Sequence, residues 1–458
     1  MSSRSATLLN TIAALIGLVL VMWCFYPGYI DLDSLWQLRE ARSRLFEDAH
    51  PPLLAFLWGY FDRIVPGPFL MLLFQNIYFW SGLAIFVSLL VKNSIFSSLI
   101  ILGMGLFPPI FLCLGTIWKD TPMAAALLTA CSFLIIAKER KSRTAWVISL
   151  LNLYFAGSTR HDAIAAVFPM ALWAGGVGYE ICRPSSERGR PIQHFKWGVA
   201  VFLLIWIAGG LTNQLLVPKK SLVARLLPAG AQNFMAHDLV AISVKTNHVY
   251  LPAYMNRPDK PRTIEDLSRM YVPESAYPLF YDFSTLSSSG LRIPFSQDPK
   301  ELSELGRIWM KTVLSHLPVY LHHRIECFKV LMGWAPGKRY NLYVYTTGEQ
   351  LKLIGISVKP SRLNSWFMNR MGSWEKSLLF KSWIYALLIM LFMQIAVISR
   401  SELLLPILVV GSSALLRIIL FFFVSSCAFF HYNLWTVCVA LVLPVMLIRR
   451  LSHQKPSI

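Results

Sequence analysis

Residues 26–54, YPGYIDLDSLWQLREARSRLFEDAHPPLL, decide how this chain is to be read. They follow an apolar run over residues 6–25 and place Asp31 and Asp33 where that run ends, with His50-Pro51-Pro52 further on. The run is as long as a full membrane crossing, about 20 residues, and no small-residue cleavage site follows it, so it reads as a retained helix rather than a cleaved signal peptide. Two carboxylates at the edge of a membrane are costly unless something uses them.

Working outward, the chain of 458 residues is 55% hydrophobic and only 15% charged, with a mean hydropathy of +0.52. That is too apolar for an ordinary soluble enzyme and points to a polytopic α-helical membrane protein. Further apolar spans are expected near residues 69–91, 94–114, 122–137, 144–156, 163–181, 197–217, 381–398, 403–424 and 432–447, about ten crossings with the first. Residues 35–46 and 53–61 suit interfacial helices inside a first outer loop, 26–68. Residues 218–377 are hydrophilic and too long for a structureless loop, so they are expected to fold as an outer domain between an N-terminal module (1–217) and C-terminal helices (378–458).

The net charge of +19 would suit nucleic acid, but much of it lies in short loops between apolar spans, which makes it a topology signal. Roughly fourteen Lys and Arg fall on one side, among them Arg4, Lys92, Lys138, Arg140, Arg188, Arg190, Arg449, Arg450 and Lys455, against about six on the other. The basic side is expected to be cytoplasmic, with both termini inside and residues 218–377 outside. Six of the seven cysteines lie in or beside apolar spans and only Cys327 in the hydrophilic region, so no disulfide framework or zinc spacing is evident there.

With that orientation Asp31, Asp33, Asp120 and Asp162 all fall at outer ends of spans, where Lys119 adjoins Asp120 and Arg160-His161 precedes Asp162. Alone, these pairs read equally as salt bridges or caps at helix ends; delivered by three separate loops to one face, they read as a site. Pro27 and Gly28 favour a non-helical exit from the first span, and on an extended segment Asp31 and Asp33 point the same way. Such a pair can hold one divalent cation, Mg or Mn, or leave one carboxylate as a base beside the other. His50-Pro51-Pro52 is either a stiff turn opening a helix or a pocket contact. In 301–334 the adjacent His322 and His323 diverge by about 100° on a helix, which argues against a shared metal, and Arg324 is placed at the interface as a lipid-phosphate contact. Arg417, inside an apolar span, either pairs across the bundle or reaches a substrate cavity, and His431 lies in the short outer turn before the last helix.

These motifs resemble the GT-C superfamily of integral-membrane glycosyltransferases, which includes protein mannosyltransferases, the aminoarabinose transferases of lipid A and the oligosaccharyltransferases. The similarity lies in the first span, the acidic loop with Asp31 and Asp33, and His50-Pro51-Pro52-Leu53, joined by Lys119-Asp120-Thr121, Arg160-His161-Asp162 and the HLPVYLHHR segment, and it looks closest to a bacterial branch. The resemblance implies a GT-C-like bundle in a bacterial inner membrane with its active site on the outer, periplasmic face. It also implies a polyprenyl-phosphate sugar as donor, a glycan, lipid or protein as acceptor, and an acidic residue of the first loop as base. Asp33 is preferred because its Asp-Ser-x-x-Gln spacing matches better than Asp31. Lys119, Arg160, Arg417 and Arg324 would bind the donor phosphate, with His50, Asp120, His161, Asp162 and His431 as further pocket residues. Better-known members carry adjacent Asp-Glu where this chain has Asp-Leu-Asp. A transporter or flippase of lipid-linked glycans is the competing class, although such proteins usually show paired repeats and ionisable groups near the midplane.

Overall fold

A computed structural model describes residues 3–47, 49–183, 191–217, 230–256, 261–280, 292–296, 298–335, 354–356 and 359–448. Arg188, Arg190, the basic tail from Arg449, and the stretches 218–229, 281–291 and 336–353 lie outside the described residues. The first half contains α1 (Ser3–Phe25), α2 (Leu32–Ser43), α3 (Leu53–Ile64), α4 (Phe69–Leu90), α5 (Ser94–Gly105), α6 (Pro108–Gly115), α7 (Asp120–Arg140), α8 (Arg143–Gly157), α9 (Ala163–Cys182) and α10 (Pro191–Leu216). The second contains α11 (Ala231–Thr246), α12 (Pro299–Ser315), α13 (Leu317–Met332), α14 (Arg362–Trp374), α15 (Ser382–Ile398), α16 (Leu404–Val424) and α17 (Leu434–Ile448), with short helical turns between them. Among the described residues there are isolated backbone bridges but no strand.

Among the described residues, seven helices are long and apolar enough to cross a membrane, eight if the bent pair α5 and α6 makes one span, against the ten expected. The difference has local causes. Span 94–114 is bent by 65° between Gly105 and Pro108, because Pro108-Pro109 cannot continue the hydrogen-bond ladder and the residue before them, Phe107, is forced out of helical geometry. Spans 144–156 and 381–398 form α8 and α15, of 15 and 17 residues. These are shorter than the roughly 20 residues of a typical crossing.

The bundle is built round α7. Its run of small residues, Ala124-Ala125-Ala126 with Thr129, Ala130 and Ser132, lets neighbours approach closely, and 89% of its most apolar window is buried against 11% for the peripheral α10. A similar contact joins α9 to α10, where a Cβ on Gly175 would fall 2.3 Å from the backbone nitrogen of Gly198. At the C-terminal end of α6, Gln75 and Asn76 on α4 donate to the Leu114 carbonyl and Gln75 also to that of Thr116, supplying partners that the helix end leaves open.

Neither α2 nor α3, at 12 residues each, is long enough to cross. They pack as a pair through Leu35, Leu38, Ala41, Leu54 and Trp58, tied by a two-pronged ion pair of Arg42 with Asp62 at 2.9 and 3.0 Å. The loop before α2 is non-helical, as Pro27 and Gly28 require, and Gly28 adopts φ +116°. It pairs with the segment between α6 and α7: the Tyr29 amide donates to the Gly115 carbonyl at 3.0 Å, and the Ile117 amide to that of Tyr29 at 2.8 Å. That pairing sets the acidic loop beside Trp118 and Lys119.

The described part of 218–377, called the outer region after its expected side, has its own small core, in which Met235, Leu239 and Val240 of α11 meet Leu251, Leu267, Leu279 and Leu305. Helix α14 instead joins the bundle core, where Phe367 packs on Phe25 and Phe111. The outer core is fastened to the segment between α16 and α17 by backbone bonds, Ala276 amide to Ser426 carbonyl at 2.7 Å and Ala428 amide to Glu274 carbonyl at 2.9 Å. Arg324 is the buried bolt of this joint and not an interface residue: it is 0% exposed and donates to Asp238 of α11 and to the Ser425 carbonyl, both at 2.7 Å. Arg324→Met, which leaves the Asp238 carboxylate buried without its guanidinium, is expected to cost about 3–5 kcal/mol. Thermal unfolding in detergent measures it, with Arg269→Met, in an exposed ion pair with Glu265, expected to match the parent.

Candidate active site at one end of the bundle

Asp31 and Asp33 do not share the extended arrangement that a common cation requires. The helix begins at Leu32, so Asp31 is its N-cap and Asp33 lies in its first turn. Asp31 is 4% exposed and both its oxygens have partners: Oδ1 accepts from the Ser34 amide and hydroxyl, each at 2.7 Å, and Oδ2 from Trp118 Nε1 at 2.7 Å. Asp33 faces a different set. Its Oδ2 is 3.6 Å from His50 Nε2 and 3.7 Å from Lys119 Nζ, and its Oδ1 accepts from the Tyr277 hydroxyl at 3.2 Å. Its side chain is still 27% accessible and that of His50 26%, whereas Lys119 keeps 6%. Four distant segments thus meet at one partly open carboxylate.

The two acids ionise unequally. Burial, with the charge of Asp33 beside it, pushes Asp31 up to about 6. Burial would raise Asp33 as well, but the cationic neighbours His50 and Lys119 outweigh it and hold its carboxyl well below the usual range. Burial also lowers His50 and Lys119. At neutral pH the cluster therefore holds an ionised Asp33 beside Lys119 and His50, two basic groups whose proton affinity burial lowers.

Behind this cluster stands a closed ring of ions. Arg160 binds Asp120 Oδ2 and Asp162 Oδ1, both at 2.7 Å, while Arg417 binds Asp120 Oδ1 at 2.7 Å and Asp162 Oδ2 at 2.8 Å. The remaining Arg417 nitrogen donates to the Tyr432 carbonyl. Of the two readings of Arg417, pairing across the bundle is the one realised. With Arg324 also enclosed, the sequence expectation of three arginines on a donor phosphate gives way: Arg417 and Arg324 are committed to buried carboxylates and carbonyls, Arg160 gives Nε and one terminal nitrogen to the ring, and Lys119 is the cation beside Asp33.

His431 links the two clusters. Its ring stacks on Trp118 at 4.1 Å and lies 3.9 Å from Asp120 Oδ2. His161, between Arg160 and Asp162, is exposed. The helix α3 starts right after Pro51-Pro52, and His50 lies 3.6 Å from Asp33.

Two participants were not singled out in the sequence. Tyr277 comes from the outer region with no motif around it. Glu40 sits on α2 seven residues after Asp33, on the same face about 10 Å along; it is 5% exposed, both its carboxylate oxygens are buried without a hydrogen-bond partner, and burial with the nearby Glu47 pushes it up to about 7. Arg39 and Arg42 on either side made it look like one more charge of a solvated face. A cavity of about 500 Å³ lined by Lys138, Trp173, His194, Phe195 and Leu405 lies at the far end of α7 and is no part of this site.

Comparison with protein-family models, curated proteins and solved structures finds no match.

The ring makes a prediction of its own. Burial would raise Asp162, yet Arg160 and Arg417 hold it well below the ordinary aspartate value of 3.8. A depressed carboxyl contributes stability that is present above its unfolded value and lost as pH falls through the folded one. Asp162→Asn is expected to lower the melting temperature at pH 7 by a few degrees, at a cost of about 3 kcal/mol or more. The gap to the parent should stay constant down to about pH 4 and narrow only below it. Melting curves of parent and variant across that range decide.

Proposed function

We propose that this chain is a GT-C-type glycosyltransferase that moves a sugar from a polyprenyl-phosphate-linked donor to an acceptor hydroxyl on a cell-envelope glycan, lipid or protein. The observation that carries the reading is Asp33: a partly open, ionised carboxylate within reach of one cation, one imidazole and one phenol, at an end of a helical bundle. The motif resemblance supports the same assignment. The site would face the outer side of a bacterial inner membrane, in keeping with the excess of Lys and Arg in the loops at the opposite helix ends.

The chemistry asks little of the protein on the leaving-group side, because a lipid-linked phosphate departs without a strong acid. The acceptor oxygen attacks the anomeric carbon, the bond from that carbon to the phosphate oxygen breaks, the phosphate leaves with the electron pair, and the hydroxyl proton passes to Asp33. Lys119 faces the charge growing on the phosphate. A carboxylate held low by Lys119 is a weak base at rest. When Lys119 turns to a bound phosphate, Asp33 loses its counter-ion and gains an anionic neighbour, and both changes raise its basicity at the moment it has to accept a proton. Asp31 caps α2 and anchors Trp118, and the ring of Asp120, Arg160, Asp162 and Arg417 keeps Lys119 in register.

The experiment is complementation of cells lacking the protein, reading the sugar content of their envelope glycoconjugates by mass spectrometry. Asp33→Asn is expected to reduce transfer about 100-fold or more with folded protein still recovered. Asp31→Asn keeps a capping side chain and should stay within about tenfold of the parent. An Asp33→Asn protein that restores the glycan overturns the proposal, and movement of a lipid-linked sugar without bond cleavage replaces it with a transporter.

A further inference from the structure

A second cluster of chemically capable side chains lies in the outer region, away from Asp33. His237 on α11 and His323 and Cys327 on α13 are all buried, and one ligand atom from each lies within 4.8 Å of the other two. His323 and Cys327 stand four residues apart, hence on one face of their helix. His237 uses Nε2 on the Val272 carbonyl at 2.9 Å, while its Nδ1 is buried with no hydrogen-bond partner. The thiol of Cys327 donates to the Pro273 carbonyl at 2.9 Å and lies 3.6 Å from both ring nitrogens of His323. Those nitrogens face the Tyr271 hydroxyl at 2.9 Å (Nδ1) and Asp238 Oδ1 at 3.3 Å (Nε2).

We infer that His237, His323 and Cys327 form a binding site for a borderline transition-metal ion of the zinc class. Two imidazoles and a thiol suit such an ion and not the hard cations Mg or Mn, which take oxygen ligands. The unpartnered Nδ1 of His237 is what a purely structural packing of these residues fails to explain, since a buried ring nitrogen is normally satisfied. Asp238 Oδ1, 3.3 Å from the His323 ring nitrogen that would not ligate, lies near where a carboxylate orients a metal-bound histidine. Binding releases the Cys327 proton to solvent, exchanges the bond to the Pro273 carbonyl for one to the metal, and involves no redox change. The fourth position falls to a water or to the Tyr271 hydroxyl. In place, the ion would staple α11 to α13 beside the 274–276 segment that leads to Tyr277, a structural role independent of the reaction proposed for Asp33.

The test uses the full chain purified in detergent, exposed to zinc alone and desalted. Mass-spectrometric metal analysis is expected to find close to one zinc per chain in the parent and in His322→Gln, whose side chain is exposed, and almost none in His237→Gln or Cys327→Ser. The parent should also melt several degrees lower after chelation and recover with zinc, because a ligand that binds only the folded state stabilises it. Loading the parent with Co(II) should produce a thiolate-to-cobalt charge-transfer band, a readout that needs no variant and so survives a variant that fails to fold. Absence of both that band and bound zinc in the parent, or zinc that persists in Cys327→Ser and His237→Gln, overturns the inference.

Discussion

Two aspartates and two arginines, each carboxylate oxygen met by a guanidinium nitrogen, hold this end of the bundle together. Asp120 opens α7, Asp162 precedes α9, Arg160 lies in the turn between α8 and α9, and Arg417 reaches in from α16. Any one of these ions alone would carry a desolvation cost of several kcal/mol in such surroundings. As a ring they are neutral and fully hydrogen-bonded, so the cost is met by short, paired contacts at 2.7 to 2.8 Å. The arrangement admits no partial version, since loss of one member strands an odd charge among the other three. It also fixes what comes next in the chain: Lys119 precedes Asp120, and Trp118 before it binds Asp31 and stacks on His431.

Against that fixed wall the two acids of the first loop acquire different jobs. Asp31 gives both oxygens to neighbours and resembles a bolt more than a reagent. Asp33, in the first turn of α2, keeps an open side and three neighbours that carry exchangeable protons. Helical spacing, which separates the two carboxylates instead of aligning them, produces this division, and the same spacing sets Glu40 on the face that Asp33 occupies. A carboxyl raised to about 7 by burial is half-protonated near neutral pH, so α2 presents an ionised acid and a partly protonated one along a single edge.

Much of this was legible in the residues, and the parts that were not share a cause. The membrane class, the two non-crossing helices after the first span, the non-helical exit at Pro27-Gly28 and the gathering of Asp33, His50 and Lys119 follow from hydropathy, proline chemistry and side counting. The roles of Arg160, Arg324 and Arg417 did not, because a sequence shows a cation but not whether a carboxylate from a helix far along the chain already occupies it. Asp238 lies 86 residues from Arg324, and Asp120 lies 297 from Arg417. His323 and Cys327 show in the sequence as a four-residue spacing, whereas the adjacent pair His322-His323 argues against a shared metal and His237 joins only through the tertiary fold. Three of the ten expected spans are not single full-length helices: one breaks at Pro108-Pro109 and two are runs of 15 and 17 residues.

Residues 425–432 show how the outer region and the bundle are kept in register. Arg324, from the outer region, grips the Ser425 carbonyl, and Arg417, from the bundle, grips that of Tyr432. Between them, the backbone of 426–428 pairs with 274–276. Tyr277 follows immediately and places its hydroxyl on Asp33. The distance from the outer region to the carboxylate is therefore set by backbone hydrogen bonds and two buried guanidinium contacts, not by the reach of a flexible side chain. It follows that the exposed surface of the outer region is free to vary, and with it what approaches the site, without disturbing the geometry at Asp33, whereas changes at the joint itself act on Asp33 through Tyr277.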